Sequence, residues 1–291
     1  MSKLDLIFEK NKDLTKYSTM RLIAFGDLYT VKSISSLVNL LKEFYQDKKK
    51  YIILGMGANQ LLKEKSDIPY IKLDLPFNKN YLNLSRLEYE LPASITLSVL
   101  SSHAIKHGLS GWEAFTGIPA TLGGAIFMNA GTALGEIGSL IKDFTLVTRE
   151  GHLKKIIVDK KTFNYRKNNR LNSGDIIVAA TLIHKGKDNL IPSKILNYLK
   201  KRNETQPLKE KTCGCIFENY LDKKNKLAGQ SIDLLGLKGF RHKNIRISPT
   251  HANFMENLGS GTYTEVIEFI LIVKKELLLQ FGVDFKVEVK L

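Results

Sequence analysis

Gly111–Gly138 reads GWEAFTGIPATLGGAIFMNAGTALGEIG, and the interpretation of the whole chain turns on it. Seven of the chain's 21 glycines fall in this stretch, with one proline, and Glu113 and Glu136 are its only charges. Glycine at this density lets backbone come close to another group and leaves N–H groups pointing outward, which suits a phosphate-bearing ligand. The same composition suits a buried, turn-rich loop of an ordinary core. The segments on either side decide between them.

The 291 residues are enough for two domains or one large one, and 43% hydrophobic with 25% charged residues is a globular composition. The opening residues, MSKLDLIFEKNKDL, interleave charge with apolar side chains and lack a small-residue cleavage site, unlike a secretory signal. Apolar runs such as Val266–Val273 are interrupted by charge well short of a membrane span, so a cytoplasmic protein with no membrane partner is expected. The net charge of +15 invites a nucleic-acid reading. Yet only eight of the 44 basic residues are arginine, and they are spread along the chain rather than clustered with aromatics. A lysine-rich surface that favours anionic small molecules fits better, with no nucleic-acid partner. The two cysteines, Cys213 and Cys215, lack further ligands at zinc spacing and lie too close for an unstrained disulfide. No metal is expected.

In chain order, residues 1–16 read as a polar lead-in and Tyr17–Val31 as a short strand with a Gly-Asp turn. Ser33–Asp47 has the helical spacing of Leu37, Leu40, Leu41 and Phe44. Tyr51–Leu54 is an apolar strand that runs into Gly55-Met-Gly-Ala-Asn-Gln60, placing bare N–H groups where a diphosphate could sit. Strand patterning recurs at Ile68–Leu73, Tyr81–Leu91, Ile95–Leu97, Phe144–Val147, Leu153–Ile157 and Ile176–Leu182. Ser101–Lys106 reads as helix, closed by Gly108. A boundary near Gly186–Pro192 precedes a basic helix over Ser193–Thr205, capped by Ser193. Helices over Ala228–Leu235 and Thr264–Phe281 and a strand over Asp284–Leu291 complete the chain.

Six motifs in order carry a resemblance. They are Leu54-Gly-Met-Gly-Ala-Asn59, Gly117-Ile-Pro-Ala-Thr-Leu-Gly-Gly-Ala-Ile-Phe-Met-Asn-Ala-Gly131, Phe163-Asn-Tyr-Arg166, Thr205-Gln-Pro207 with Cys213–Asn219, His251-Ala-Asn-Phe254, and Glu288-Val-Lys290. With them the chain resembles the UDP-N-acetylenolpyruvoylglucosamine reductases, in the compact branch that lacks an extra tyrosine-bearing loop. Ala120-Thr121 stands where that family usually has Gly-Ser, Cys215 where it usually has serine, and Glu218 where it usually has a basic residue. Tyr220 replaces a customary proline, and Asn244-Ile-Arg246 a small, glycine-containing stretch.

The resemblance implies an α+β fold. A two-lobed FAD-binding domain of the vanillyl-alcohol-oxidase/PCMH type would span 1–188, with lobes of about 1–74 and 75–188. A smaller α+β substrate-binding domain would span 189–283, and a C-terminal strand, 284–291, would return to the active site. It further implies NADPH-dependent reduction of UDP-N-acetylglucosamine enolpyruvate to UDP-N-acetylmuramate through non-covalent FAD, in peptidoglycan precursor synthesis, by a monomer. Catalytic roles fall to Arg166, Cys215 and Glu288. Arg166 would grip the substrate carboxylate through two parallel hydrogen bonds. Cys215 would donate the proton to C2, a role for which a thiol is a stronger acid than an alcohol. Glu288 would polarise the enolate, as an acid or through Arg166. Gly55, Gly57, Ala58, Asn59, Gln60, Gly117, Ile118, Pro119, Thr121, Gly123, Gly124, Asn129 and Gly131 would hold FAD. Arg166, Gln206 and Asn219 would contact substrate.

Two rivals stand beside this reading. One is another FAD-dependent oxidoreductase on the same scaffold, such as an oxidase with covalent flavin, to which the His103 and His107 pair lends itself. The other is a basic nucleic-acid-binding protein, whose affinity would fall steeply with salt.

Overall fold

The computed structural model of the chain describes residues 5–220 and 226–291. They divide into two compact units. The first comprises Met1–Lys10, Asp27–Gly55 and Ile68–Leu199, and the second Asn11–Gly26, Met56–Asp67 and Lys200–Leu291.

The first unit is built on two sheets. One orders its strands Leu6–Asp13, Phe25–Val31, Lys65–Leu73 and Ile52–Ile53, the last two parallel with Ile52 opposite Tyr70. Against it lies the helix Ile34–Gln46, started by Ser33, whose hydroxyl accepts the amide of Ser36 at 3.2 Å. Leu37, Leu40, Leu41 and Phe44 form its buried face, as their spacing predicts, and pack with Val31 and Ile71. The other sheet is an antiparallel set in the order Glu88–Pro92, Ile176–Ile183, Ile141–Val147, Leu153–Ile157. Val147, Ile176 and Val178 from this sheet enter the first core, so one hydrophobic contact joins the two lobes. The phenol of Tyr51 reinforces the join by donating to Gly174 O at 2.6 Å, and burial pushes its pKa up to about 12.

The larger core of this unit lies under the glycine stretch. Trp112 is fully buried there and donates through Nε1 to Ile183 O at 2.8 Å. The helix Leu97–His107 covers this core and ends at Gly108, whose φ of 65° is the left-handed geometry that closes helices.

The second unit has its own core. The sheet Thr212–Cys215, Phe254–Asn257, Ile245–Ile247, Arg241–His242 is packed by the helices Ala228–Leu234 and Tyr263–Phe281. The longer helix carries a full capping box: Thr262 accepts from Glu265 N, and Glu265 reaches back to Thr262 N.

Several expectations are corrected. The division by sequence position, at 188, gives way to one in which residues 11–26 and 56–67 join the C-terminal unit. Met20, Leu22 and Leu61 are buried in its core, and Asn257 Nδ2 donates to both Met20 O and Arg21 O at 3.0 Å. The lead-in holds a strand, Leu6–Asp13, which at a sheet edge needs no apolar alternation; residues 1–4 lie outside the described residues. Gly26-Asp27 is inside the strand Phe25–Val31 rather than at a turn. Lys79–Asn83 is a 3-10 turn, and Ile95–Leu97 leads into a helix instead of forming a strand. Ser193 does not cap its helix, which starts at Ile191; its hydroxyl donates back to Leu190 O at 2.8 Å. The residues after Gly282 make single bridges, Val287 with Phe217 and Lys290 with Gln60, in place of a regular strand.

Candidate active site

In the first unit, the glycine stretch and the Phe163–Arg166 motif are one structure. Thr121 caps the short helix Leu122–Phe127, its hydroxyl accepting from Gly124 N at 3.3 Å. Gly123 donates to Ala93 O at 2.9 Å, and a Cβ there would stand 2.9 Å from that of Ala93. Leu122 N is likewise engaged, by Ile95 O at 2.8 Å. Gly123 and Gly124 therefore bring helix and sheet together, with their own N–H groups already bonded inside the chain. Among the described residues, no hydrogen bond engages the backbone N–H of Gly55 or Gly117. Gly117 adopts φ 71°, and a Cβ on Gly55 would stand 3.2 Å from the Thr121 hydroxyl. These are the features a diphosphate-bearing group would use: bare amides, and no side chain to block approach.

Asn129 follows that helix at φ 47°, and only 1% of it is exposed. Its Nδ2 donates to Glu136 Oε2 at 2.8 Å and to Asn164 O at 3.0 Å, while its Oδ1 accepts from Gly138 N at 3.0 Å. Its side chain thus ties the end of the glycine stretch to the hairpin that bears Arg166. Arg166 is half-buried, at φ 54°, with its guanidinium carbon 5.1 Å from the centre of the Tyr165 ring.

In the second unit, the Gly57 loop rests on residues 17–19. Thr19 N donates to Gly57 O at 3.2 Å, and a Cβ on Gly57 would come within 2.4 Å of Tyr17 O. With φ at 60° as well, only glycine fits. The backbone N–H groups of Gly57 and Ala58 take no hydrogen bond among the described residues. Thr19 also donates its hydroxyl to Thr212 O at 2.6 Å, linking this loop to the start of the Cys215 strand.

That strand is bulged. Thr212 faces Glu256 and Cys215 faces Phe254, so the intervening pair, with Gly214 at φ 82°, opposes a single residue. The bulge separates the two thiols: Cys213 is 1% exposed, whereas Cys215 is part-exposed. Burial raises the Cys213 thiol to about 12, with the nearby Cys215 and Glu288 adding to the effect. Beyond Cys215, Ile216 O accepts from Glu288 N at 2.8 Å, and Asn59 Nδ2 donates to Glu288 O at 3.3 Å. The backbone of Glu288 thus lies beside the residue that follows Cys215 and accepts the side chain of Asn59.

Of the residues expected at the uridine diphosphate end, Gln206 accepts from Arg202 Nε and Nη2 at 2.9 and 2.7 Å. Asn219 accepts Ala228 N at 3.1 Å at the start of a helix. Residues whose part was not legible in advance are Tyr17–Thr19, which cradle Gly57, and Asn253. Asn253 is 3% exposed and clamps the strand after Cys215, accepting Phe217 N at 3.1 Å and donating to Phe217 O at 2.8 Å. His251 supports it, accepting Asn253 N on Nδ1 at 3.2 Å, and burial lowers its pKa. Among the described residues no cluster of side chains could hold a metal.

His103, the first of the histidine pair near the glycine stretch, is a core residue. His103 is 4% exposed, its Nε2 lies 3.0 Å from the Tyr89 hydroxyl, and a hydrogen bond with the Leu82 backbone engages the ring as well. Burial lowers its pKa to about 4. Such a ring offers no exposed nitrogen for covalent flavin.

Family models match in two places: an FAD binding domain over residues 28–156, and the C-terminal domain of UDP-N-acetylenolpyruvoylglucosamine reductase over residues 206–291. A reductase of that name from Chloroherpeton thalassium is 34% identical over 262 residues, covering 87% of this chain and 83% of the relative. One from Aquifex aeolicus is 30% identical over 287 residues, covering 98% and 95%. The crystal structure of a UDP-N-acetylenolpyruvylglucosamine reductase from Thermus caldophilus superposes with a TM-score of 0.79 at 27% identity, over 98% of each chain. An FAD-binding domain joined to a reductase C-terminal domain defines an FAD-dependent oxidoreductase. Within that class, the chain belongs to the UDP-N-acetylenolpyruvoylglucosamine reductase family.

Proposed function

We propose that this chain reduces UDP-N-acetylglucosamine enolpyruvate to UDP-N-acetylmuramate with NADPH, in peptidoglycan precursor synthesis. The observation that carries the chemistry is the hydrogen bond from Glu288 N to Ile216 O at 2.8 Å, which sets the terminal glutamate beside Cys215. When bound, FAD would supply the two-electron hydride transfer between NADPH and the enolpyruvyl group.

The chain's own residues manage charge and the proton. As C3 gains hydride, negative charge develops at C2 and spreads into the carboxylate. Arg166, permanently cationic, binds that carboxylate through paired N–H donors. Cys215 gives its Sγ proton to C2, which completes the addition of hydride and proton across the double bond. Glu288 is assigned to polarise the enolate. For FAD, the bare amides of Gly55 and Gly117 in the first unit and of Gly57 and Ala58 in the second are each assigned a part in cofactor binding, as are Asn59, Gln60, Ile118, Pro119, Thr121 and Gly131. Gly123 and Gly124 act by allowing close packing of the helix on the sheet. Gln206 and Asn219 are assigned to the uridine diphosphate end. The chain acts as a monomer in the cytoplasm.

The test is an anaerobic absorption spectrum. The purified protein is yellow, NADPH bleaches it, and the enolpyruvyl substrate restores the colour; denaturation releases the chromophore. A colourless protein, or one that only oxygen reoxidises, overturns the proposal.

A further inference from the structure

The two residues at the tip of the Phe163–Asn168 hairpin are Tyr165 and Arg166, closed by the pairs Asn164 with Lys167 and Phe163 with Asn168. Arg166 takes φ 54° there, a left-handed conformation that side chains other than glycine, asparagine and aspartate adopt at a cost. Such a conformation persists when surrounding structure over-determines it. Each hairpin of this length would be marginal alone, so the constraint has to come from outside it.

Buried asparagines supply it. Asn129 Nδ2 donates to Asn164 O at 3.0 Å, on the residue that begins the turn. Its Oδ1 holds Gly138 N at 3.0 Å, and Gly138 is pressed so closely to the hairpin that a Cβ would come 2.6 Å from Phe163 Cδ2. On the other strand, Asn168 Nδ2 donates to Ile126 O at 3.3 Å, and its Oδ1 accepts Arg170 N at 3.0 Å. Asn129 itself sits at φ 47°, a conformation asparagine tolerates better than most side chains. It therefore fixes both the end of the glycine stretch and the start of the turn.

We infer that Asn129 is a positioning residue for Arg166: it locks the hairpin so that the guanidinium is preset to receive the substrate carboxylate. The inference rests on the assignment of Arg166 to that carboxylate. It also moves Asn129 from the cofactor set, where the family resemblance placed it, to the substrate side of the reaction. Presetting matters because ordering a mobile turn at the moment of binding costs backbone entropy, and a turn locked beforehand has already met that cost.

Two variants test it in the full-length, FAD-loaded protein: Asn129→Ala, which removes the clamp, and Gly138→Ala, which pushes on Phe163 from the other side. Three readouts are taken. Trypsin should cut the Arg166–Lys167 bond roughly tenfold faster once the turn is released. KM for UDP-N-acetylglucosamine enolpyruvate should rise about tenfold, while FAD content and the bleaching rate with NADPH stay at wild-type values. In an Arg166→Ala background, Asn129→Ala should add nothing further to KM, because the two act as a unit. Loss of FAD on Asn129→Ala overturns the inference and returns Asn129 to the cofactor. Equal effects on KM in both backgrounds, or unchanged trypsin cleavage, overturn it too. If Arg166→Ala leaves KM unchanged, the carboxylate assignment itself fails, and this inference with it; that result is separable because it appears before Asn129 is altered. Should Asn129→Ala not fold, Gly138→Ala carries the same three outcomes.

Discussion

Glu288 N donates to Ile216 O at 2.8 Å, so the catalytic glutamate proposed at the chain's end is a backbone neighbour of the residue after Cys215. Glu218 N donates to Lys286 O at 2.9 Å on the same segment, and Lys290 N donates to Asn59 O at 3.0 Å on another. Val289, 2% exposed, is part of the core of the unit. Deleting the terminal residues would therefore remove packing as well as the carboxylate. Glu288→Gln is the cleaner test. It should lower kcat with substrate by about 10²-fold while FAD content and thermal stability stay unchanged. Wild-type turnover in that variant would take Glu288 out of the mechanism.

Cys215 carries the more specific prediction. In Cys215→Ala, bleaching by NADPH should proceed at the wild-type rate, whereas recovery of colour on adding substrate should slow by roughly 10²–10⁴-fold, the usual contribution of a positioned general acid. Cys215→Ser, which restores the residue usual in the family, should recover most of that loss. Stopped-flow absorbance separates the two half-reactions. Unchanged rates in both for Cys215→Ala would show that the proton comes from elsewhere.

The two thiols should also differ in reactivity. Cys213 is 1% exposed and its thiol is raised to about 12, whereas Cys215 is part-exposed on the far side of a bulge. The thiolate is the nucleophile, and burial suppresses it. Iodoacetamide at pH 8 should label one cysteine in the native protein, found at Cys215 by peptide mapping, and both after denaturation. Enolpyruvyl substrate should protect the first. Two labels in the native state would contradict the burial of Cys213.

How much of this was legible in the sequence depends on how local the cause is. The helix Ile34–Gln46 is written in four apolar residues and a serine cap, all within one window. The capping box Thr262–Glu265 and the closing Gly108 are equally local. Leu6–Asp13 was missed because an edge strand can be polar on both faces, and its pairing partner lies a dozen or more residues away. The proposed catalytic roles of Arg166, Cys215 and Glu288 rest on motif resemblance alone. Nothing in the run 284–291 says that it will bond to Asn59 and Ile216. The buried asparagines were least legible of all: Asn129, Asn253 and Asn257 each fix backbone far away in sequence, and an asparagine in a loop looks the same whether it is solvated or clamped. Positive φ at Asn129 and Arg166 is likewise invisible without coordinates.

His103 gives a pH prediction with a definite sign. Burial lowers its pKa from 6.5 to about 4, with His107, Lys106 and His184 adding repulsion against the protonated form. In the unfolded chain the ring takes up a proton as pH falls through 6.5; in the folded chain it does so only near 4. Stability contributed by the neutral ring is therefore full above the unfolded pKa and lost as pH falls through this window. Between pH 7 and 4.5 the loss amounts to about 2–3 kcal/mol. His103→Gln, which keeps a partner for the Tyr89 hydroxyl, should show a smaller drop in melting temperature over the same range. Carboxylates that titrate there affect both proteins alike and cancel in the comparison. Identical slopes would mean that His103 is protonated in the folded state.

Arg246 and Glu256 face each other across adjacent strands, and the guanidinium donates to Glu256 Oε2 through both Nε and Nη2, each at 2.7 Å. Glu256 is 2% exposed, and among the described residues Arg246 is the cation paired with its carboxylate. This accounts for an arginine in a stretch that is usually small in the family: it neutralises a buried charge on the next strand. Removing one partner of such a pair costs far more than the pair contributes, because the remaining charge stays buried. Arg246→Ala should destabilise the protein by roughly 3 kcal/mol, lowering the melting temperature by about 6 °C or more. The double variant Arg246→Met, Glu256→Leu should recover most of this, since it replaces the pair with apolar groups of similar volume. A calorimetric scan of the three proteins at neutral pH decides the matter. If Arg246→Ala melts with wild type, water reaches Glu256 and the pair is no more than a surface contact. If the double variant melts as low as the single one, the loss lies in packing of the arginine stem over the sheet rather than in the uncompensated carboxylate.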